Sequence, residues 1–117
     1  MLYVYKNAES GKTLVTKTAV VLAGWDELVA GSVDAAKEKH VPVVTKKCKT
    51  VKVDVGSVAH PMTKEHLIEW VALETEQGYQ IKELAAEGAP VCTFTLADGD
   101  KAVAVYAYCN LHGLWKA

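Results

Sequence analysis

The sequence predicts an all-β fold, an antiparallel sandwich, and three observations point there. Apolar and polar residues alternate, turn residues recur at roughly 10-residue spacing, and no segment carries a sustained helical period. The alternation is cleanest where Val51, Val53 and Val55 interleave with Thr50, Lys52 and Asp54, the pattern of a strand with one buried face. Leu67 to Thr75, Tyr79 to Leu84, Val91 to Leu96 and Lys101 to Tyr108 follow, short and rich in Val, Ile, Thr and aromatic residues. Gln77-Gly78 separates the first pair and Glu87-Gly88-Ala89-Pro90 the second. Asp98-Gly99 predicts a hairpin whose two central residues both take positive φ. These strands form one unit, residues 37–117, of immunoglobulin-like type.

Residues 1–36 read differently. Tyr3 to Lys6 and Thr13 to Leu22 predict a small hairpin around Ser10-Gly11, too small to be stable alone, followed by an apolar stretch to Val33. Ser32 to Lys39 fits one helical turn or an ordered loop, with Asp34 placed to cap Ala35-Ala36-Lys37.

At 117 residues the chain is one domain's worth, long enough to bury a core without disulfide staples. Its formal charge of −1 offers no basic field for nucleic acid or an acidic membrane, so neither is expected as a partner. Met1 to Lys6 lacks the pattern of a secretory signal and no apolar run approaches the length of a membrane span, which predicts a cytoplasmic protein. The charge is segregated. Lys37, Lys39, Lys46, Lys47, Lys49 and Lys52 face one acid, Glu38, in their stretch, whereas Glu65 to Asp100 holds eight acids against Lys82. A lysine-protected edge strand explains that run, and local attraction of a small anion is the alternative.

Cys48, Cys92 and Cys109 are odd in number and form no Cys-x-x-Cys pair, which argues against a disulfide framework. Cys48 and Cys92 are expected to pack as small hydrophobes within strands, and Trp25, Trp70 and Trp115 to be buried. Cys109 differs, because Cys109-Asn110-Leu111-His112 has the spacing at which a thiolate and an imidazole reach one ion. Such a pair alone also fits a buried thiol beside a surface histidine. However, His40, His60, His66 and His112 are all the histidines of the chain, and all fall in loops or at strand ends. Four imidazoles and a thiolate exceed the four ligands of a closed zinc site and point to a metal of larger coordination number, such as iron.

These residues lie in longer motifs. Glu38-Lys39-His40-Val41-Pro42, then Val55-Gly56-Ser57-Val58-Ala59-His60-Pro61-Met62, Glu65-His66-Leu67-Ile68-Glu69-Trp70 and Cys109-Asn110-Leu111-His112-Gly113-Leu114-Trp115 resemble, in order, the motifs of superoxide reductase. The similarity is to the iron domain of desulfoferrodoxin and neelaredoxin and runs over about residues 33–116. The resemblance implies one mononuclear iron per chain, with His40, His60, His66 and His112 as equatorial ligands and Cys109 as the axial thiolate. It implies one-electron reduction of superoxide to hydrogen peroxide, a rubredoxin-like electron donor, and a homo-oligomer, dimer or tetramer. It further implies that Glu38 occupies the open position once iron is oxidised; Lys39, by its place beside His40, is expected to attract superoxide and orient a proton-donating water rather than to be an ordinary surface lysine. Longer members carry an N-terminal desulforedoxin-like module with a second iron on four cysteines. Here Asn7-Ala8-Glu9-Ser10-Gly11 and Leu22-Ala23-Gly24 stand in those places without a thiol, so residues 1–36 read as a vestigial module without metal. A non-catalytic zinc or copper module and a superoxide dismutase are the competing readings.

Overall fold

The structure is a computed structural model describing residues 1–117. Ten strands and one short helix follow one another as β1 (Tyr3–Asn7), β2 (Thr13–Thr16), β3 (Trp25–Leu28), α1 (Lys37–His40), β4 (Pro42–Lys47), β5 (Thr50–Val55), β6 (Ile68–Thr75), β7 (Gly78–Glu83), β8 (Val91–Thr95), β9 (Ala102–Cys109) and β10 (Gly113–Lys116). All pairings are antiparallel. They make three sheets, ordered β2-β1-β3, β4-β5-β8 and β10-β9-β6-β7. The second and third sheets face each other as the expected sandwich. No helix is long and apolar enough to cross a membrane.

The alternation of β5 does what its sequence requires: Val51, Val53 and Val55 are buried, and Thr50 and Lys52 are exposed. They meet Phe94 of β8, Ile68, Val71 and Leu73 of β6, and Val105, Ala107 and Cys109 of β9 in one core. The inward residues of β6 change parity between Ile68 and Val71. A register shift between Ile68 and Trp70 accounts for this, because one extra residue in a strand moves the following side chains to the opposite face. Cys109, by contrast, keeps step with Val105 and Ala107 and so reaches the core side at the end of its strand.

β6 is buried on both faces, which a sandwich strand with one solvated side would not be. The N-terminal sheet is the reason. Leu2 and Val4 lie with Trp70, Ala72, Ala104, Tyr106, Tyr108 and Leu114 in a second core on the outer side of the four-stranded sheet. Trp70 stacks on Tyr108 at 5.7 Å between ring centres, and its indole N–H donates to Thr13 Oγ1 at 3.0 Å. Buried Glu74 pairs with the Met1 ammonium group and with Lys17.

Several sequence expectations are corrected. Asp98-Gly99 is not a hairpin: β8 and β9 belong to different sheets, and of the two residues Gly99 alone has positive φ. The strand expected over Thr13 to Leu22 stops at Thr16, while Trp25–Leu28 and Gly113–Lys116 are further strands. The helical turn, Lys37–His40, overlaps only the end of the anticipated stretch and runs one residue past it, and it begins after Ala36 with no side-chain cap, so Asp34 does not cap it. Cys48 is exposed in the β4–β5 turn at φ +53° rather than packed in a strand. Cys92 packs against the core as expected. Trp70 and Trp115 are buried, but Trp25 only partly so.

One glycine governs how α1 is seated. A Cβ on Gly56 would lie 2.7 Å from the carbonyl oxygen of Glu38 and 2.9 Å from that of Val41. Both are backbone atoms that cannot swing aside. The same approach lets Val58 N–H donate to Glu38 O at 2.9 Å. Gly56→Ala is therefore expected to displace the segment bearing His40 and to cost on the order of 1–3 kcal/mol, as overpacking does. Urea unfolding checks the stability, and metal uptake by the variant checks the displacement.

Candidate metal centre

Five side chains converge at one end of the sandwich. His40 is the last residue of α1, His60 follows the loop after β5, and His66 sits in the turn before β6. Cys109 ends β9, and His112 lies in the short turn to β10, which Gly113 leaves at φ +78°. Each donor atom is thus carried on a strand end, on α1 or in the turn beside one.

The four imidazoles form a ring. Neighbouring ring centres are 4.7 Å apart for His40 and His60, 4.6 Å for His60 and His66, 5.1 Å for His66 and His112, and 5.0 Å for His112 and His40. Donor atoms of His40, His66, Cys109 and His112 all lie within 4.8 Å of one another. His60 falls outside that group, on the far side of the ring from His112, but its Nε2 is 3.2 Å from His40 Nε2. Cys109 Sγ is 3.9 Å from His112 Nδ1, which in turn is 3.2 Å from His40 Nε2.

The donor set fits a cation. His40 Nδ1–H donates to Ala36 O and His60 Nδ1–H to Pro61 O, each at 2.6 Å, so in the neutral rings both Nε2 atoms present lone pairs. Those lone pairs face each other with no proton between them. The Nε2 of His66 is buried and has no partner at all. Buried polar atoms are ordinarily satisfied, and here a positive ion is the one partner that would satisfy all of them together.

Burial disfavours protonation of three of the rings. Desolvation is the chief cause that lowers the pKa of His40 and His66 and brings His60 down to about 4, and Lys39 adds to it at His40 and His66. The Cys109 thiol is pushed up, again mainly by burial, while the backbone N–H groups of Leu111 and His112 pull the other way. A metal would convert this thiol to a thiolate by supplying the missing positive charge.

Glu38 and Lys39 are exposed on α1, and the charges of both reach His40. His66 and His112 are partly exposed, whereas Cys109, His40 and His60 are buried, so the cluster opens to solvent on one side only. Two neighbours carry roles that composition and spacing did not reveal. Trp115 lies 4.9 Å from the His40 ring and donates its indole N–H to His112 O at 3.0 Å. Asn110 hydrogen-bonds the backbone on either side of His66. Both stand in the same motif as Cys109 and His112, which was the available signal.

Residues 32–117 match the family model described as Desulfoferrodoxin. This chain belongs to the desulfoferrodoxin family. It is 41% identical to a desulfoferrodoxin of Clostridium acetobutylicum over 99% of this chain and 94% of that protein, so the similarity includes the N-terminal sheet. It is 51% identical to a desulfoferrodoxin of Nitratidesulfovibrio vulgaris, over 74% of this chain and 68% of that one. Among solved structures it resembles the superoxide reductase from Treponema pallidum with a TM-score of 0.83 and 48% identity, covering 89% of this chain and 92% of that chain. The superoxide reductase (1Fe-SOR) from Giardia intestinalis matches with a TM-score of 0.59 and 34% identity, covering 69% of this chain and 96% of that chain.

The buried imidazoles set the pH dependence of this family member. Because their pKa values are lower in the fold than in the unfolded chain, the unfolded state binds more protons below about pH 6.5. Stability of the metal-free protein is therefore expected to fall as pH drops below that point, and to level off only below the His60 value of about 4. Urea midpoints measured between pH 7 and pH 4 check this, and His60→Gln should flatten the decline.

Proposed function

We propose that this chain is a superoxide reductase, converting superoxide to hydrogen peroxide by one-electron reduction with uptake of two protons. The observation that carries the reading is the ring of four imidazoles closed beside a buried thiol. His40, His60, His66, His112 and Cys109 would hold one mononuclear iron. Bound there, iron supplies the ferrous–ferric couple that delivers the single electron. Four neutral imidazoles and one thiolate leave a divalent ion with net positive charge, which suits a small anionic substrate.

The chain's own groups supply the rest. Lys39 places an ammonium charge beside His40 and His66 on the exposed side, where it draws the anion in and orients a water to donate a proton. Glu38, one residue earlier on the same turn, offers the carboxylate that takes the place of the product after release. The N–H groups of Leu111 and His112, which favour the ionised form of Cys109, would limit how much electron density the sulfur donates. Restraint matters because the intended product is intact peroxide, and excessive donation favours cleavage of the O–O bond.

Residues 37–117 form the reacting unit in this reading, and residues 1–36 a covering layer that packs against it without a metal of its own. A rubredoxin-like donor would approach the open side near His66 and His112. The working assembly is a dimer or tetramer, and the compartment is the cytoplasm, where unpaired thiols stay reduced.

Product stoichiometry is the decisive experiment. Ferrous protein given a pulse of superoxide without oxygen should yield one peroxide per superoxide and release no oxygen. Evolved oxygen would indicate dismutation, and an unoxidised metal would indicate a non-catalytic metal-binding module. Lys39→Ala should slow the reaction about 10-fold or more at low ionic strength while iron content stays the same. Cys109→Ser should abolish the thiolate-to-ferric absorption, and an unchanged spectrum would remove Cys109 from the ligand set.

A further inference from the structure

We propose that Asn110 is the positioning residue for His66: its carboxamide ties the backbone on both sides of that imidazole to the turn carrying Cys109 and His112. The inference rests on the reading of the five side chains as one iron site. It concerns how the site is held rather than what reaction occurs there.

His66 is the weakly anchored member of the ring. The rings of His40 and His60 are each fixed by a 2.6 Å hydrogen bond from Nδ1 to a backbone carbonyl. The hydrogen bonds of His66 are made by its backbone alone. Its N–H donates to Thr63 Oγ1 at 3.1 Å, and its carbonyl accepts from Thr63 N–H at 3.0 Å and Thr63 Oγ1 at 3.2 Å. Meanwhile its Nε2 is buried without a partner. A ring that has no hydrogen bond of its own is only as well placed as the peptide that bears it.

Asn110 grips that peptide at both ends. Its Nδ2–H donates to Glu65 O at 2.9 Å, and its Oδ1 accepts from Leu67 N–H at 3.0 Å. Asn110 N–H also donates to Leu67 O at 3.3 Å. Glu65 and Leu67 are the immediate neighbours of His66, and Asn110 is the immediate neighbour of Cys109. The carboxamide therefore behaves like a peptide group inserted between two segments just beyond the last β6–β9 pair, Ile68 and Cys109. Few side chains meet the requirement, which is one donor and one acceptor on a short stem. The pattern also fixes which amide atom is oxygen, since the reverse assignment would set carbonyl against carbonyl and N–H against N–H. With this strut in place, the imidazole from the β6 side and the two donors of the β9–β10 turn are held in one frame. Supporting contacts of this kind typically alter metal affinity about 10- to 100-fold.

The test uses the full-length, iron-loaded protein and follows iron loss to an excess of a strong chelator. Asn110→Ala is expected to accelerate loss about 10- to 100-fold, with the thiolate-to-ferric absorption of the loaded fraction retained because Cys109 still ligates. Asn110→Asp keeps the acceptor for Leu67 N–H but sets a carboxylate oxygen against Glu65 O, so it too should accelerate loss relative to wild type. The separation from a general folding role comes from a double-mutant cycle. In a His66→Ala background, Asn110→Ala should change the rate less than about 2-fold, because the residue it positions is gone. Full additivity of the two substitutions, or an unchanged rate in Asn110→Ala alone, overturns the inference. Wild-type protein that takes up no iron overturns the inference and the metal reading together. A wild-type protein that holds iron yet leaves superoxide untouched overturns the proposed reaction alone, and the chelator cycle still decides the role of Asn110.

Discussion

Two imidazole nitrogens with lone pairs aimed at each other across 3.2 Å form an arrangement that neither solvent nor packing rewards. In His40 and His60 the opposite ring nitrogen is committed to a backbone carbonyl, so turning the ring to relieve the contact would break a short hydrogen bond. Protonating one ring would relieve it too, but burial opposes the added charge. The fold thus closes both escapes and leaves a position that a cation would stabilise. That constraint orders the rest of the molecule: each ligand-bearing segment is fastened to a strand end, and the thiol of Cys109 enters from the core.

The strand geometry behind this is specific. Cys109 reaches the core side because β9 keeps strict alternation from Val105 onward. β6, paired beside it, does not alternate strictly, and the extra residue between Ile68 and Trp70 lets both Ile68 and Val71 face inward. The irregularity falls three residues after His66, where the chain passes from the ligand turn into the sheet. On the other side, Gly56 brings the loop after β5 against the carbonyls of α1 and so sets the distance between His40 and His60. Backbone contacts, rather than side-chain packing, thus fix the spacing of the ring.

Much of this was legible in the sequence, for identifiable reasons. The sandwich followed from the alternation of Val51, Val53 and Val55 and from the turn residues, because one buried face imposes a period of two. β3 was not legible, since Trp25-Asp26-Glu27-Leu28 places two exposed acids in its middle and is a strand only by pairing with β1. β10 is similarly defined by its partner β9. Asp98-Gly99 misled because a turn dipeptide specifies local curvature and not which sheet receives the next strand. Cys48 misled because its neighbours are strand formers, whereas the reversal between β4 and β5 falls on the cysteine itself. Four histidines and one cysteine were conspicuous because their side chains bond metals. Asn110 and Trp115 were not, because their roles depend on which atoms the fold brings to them.

The N-terminal sheet draws its stability from hydrogen bonds within its turn and from burial against the sandwich. The segments around Asn7 and Gly24 face each other, with Asn7 Nδ2 3.8 Å from the position a Cβ on Gly24 would take. The Asn7 carboxamide Oδ1 accepts the N–H groups of Glu9 at 3.1 Å and Ser10 at 2.9 Å, so hydrogen bonds close the turn. A three-stranded sheet held this way would be marginal alone. It is stabilised by burying Leu2 and Val4 against Trp70, Tyr106 and Tyr108. That burial works in both directions, since it also shields the outer faces of β6 and β9, the two strands that carry Cys109 and lead from His66. The N-terminal segment therefore supports the candidate centre mechanically, through the two strands on which the centre depends.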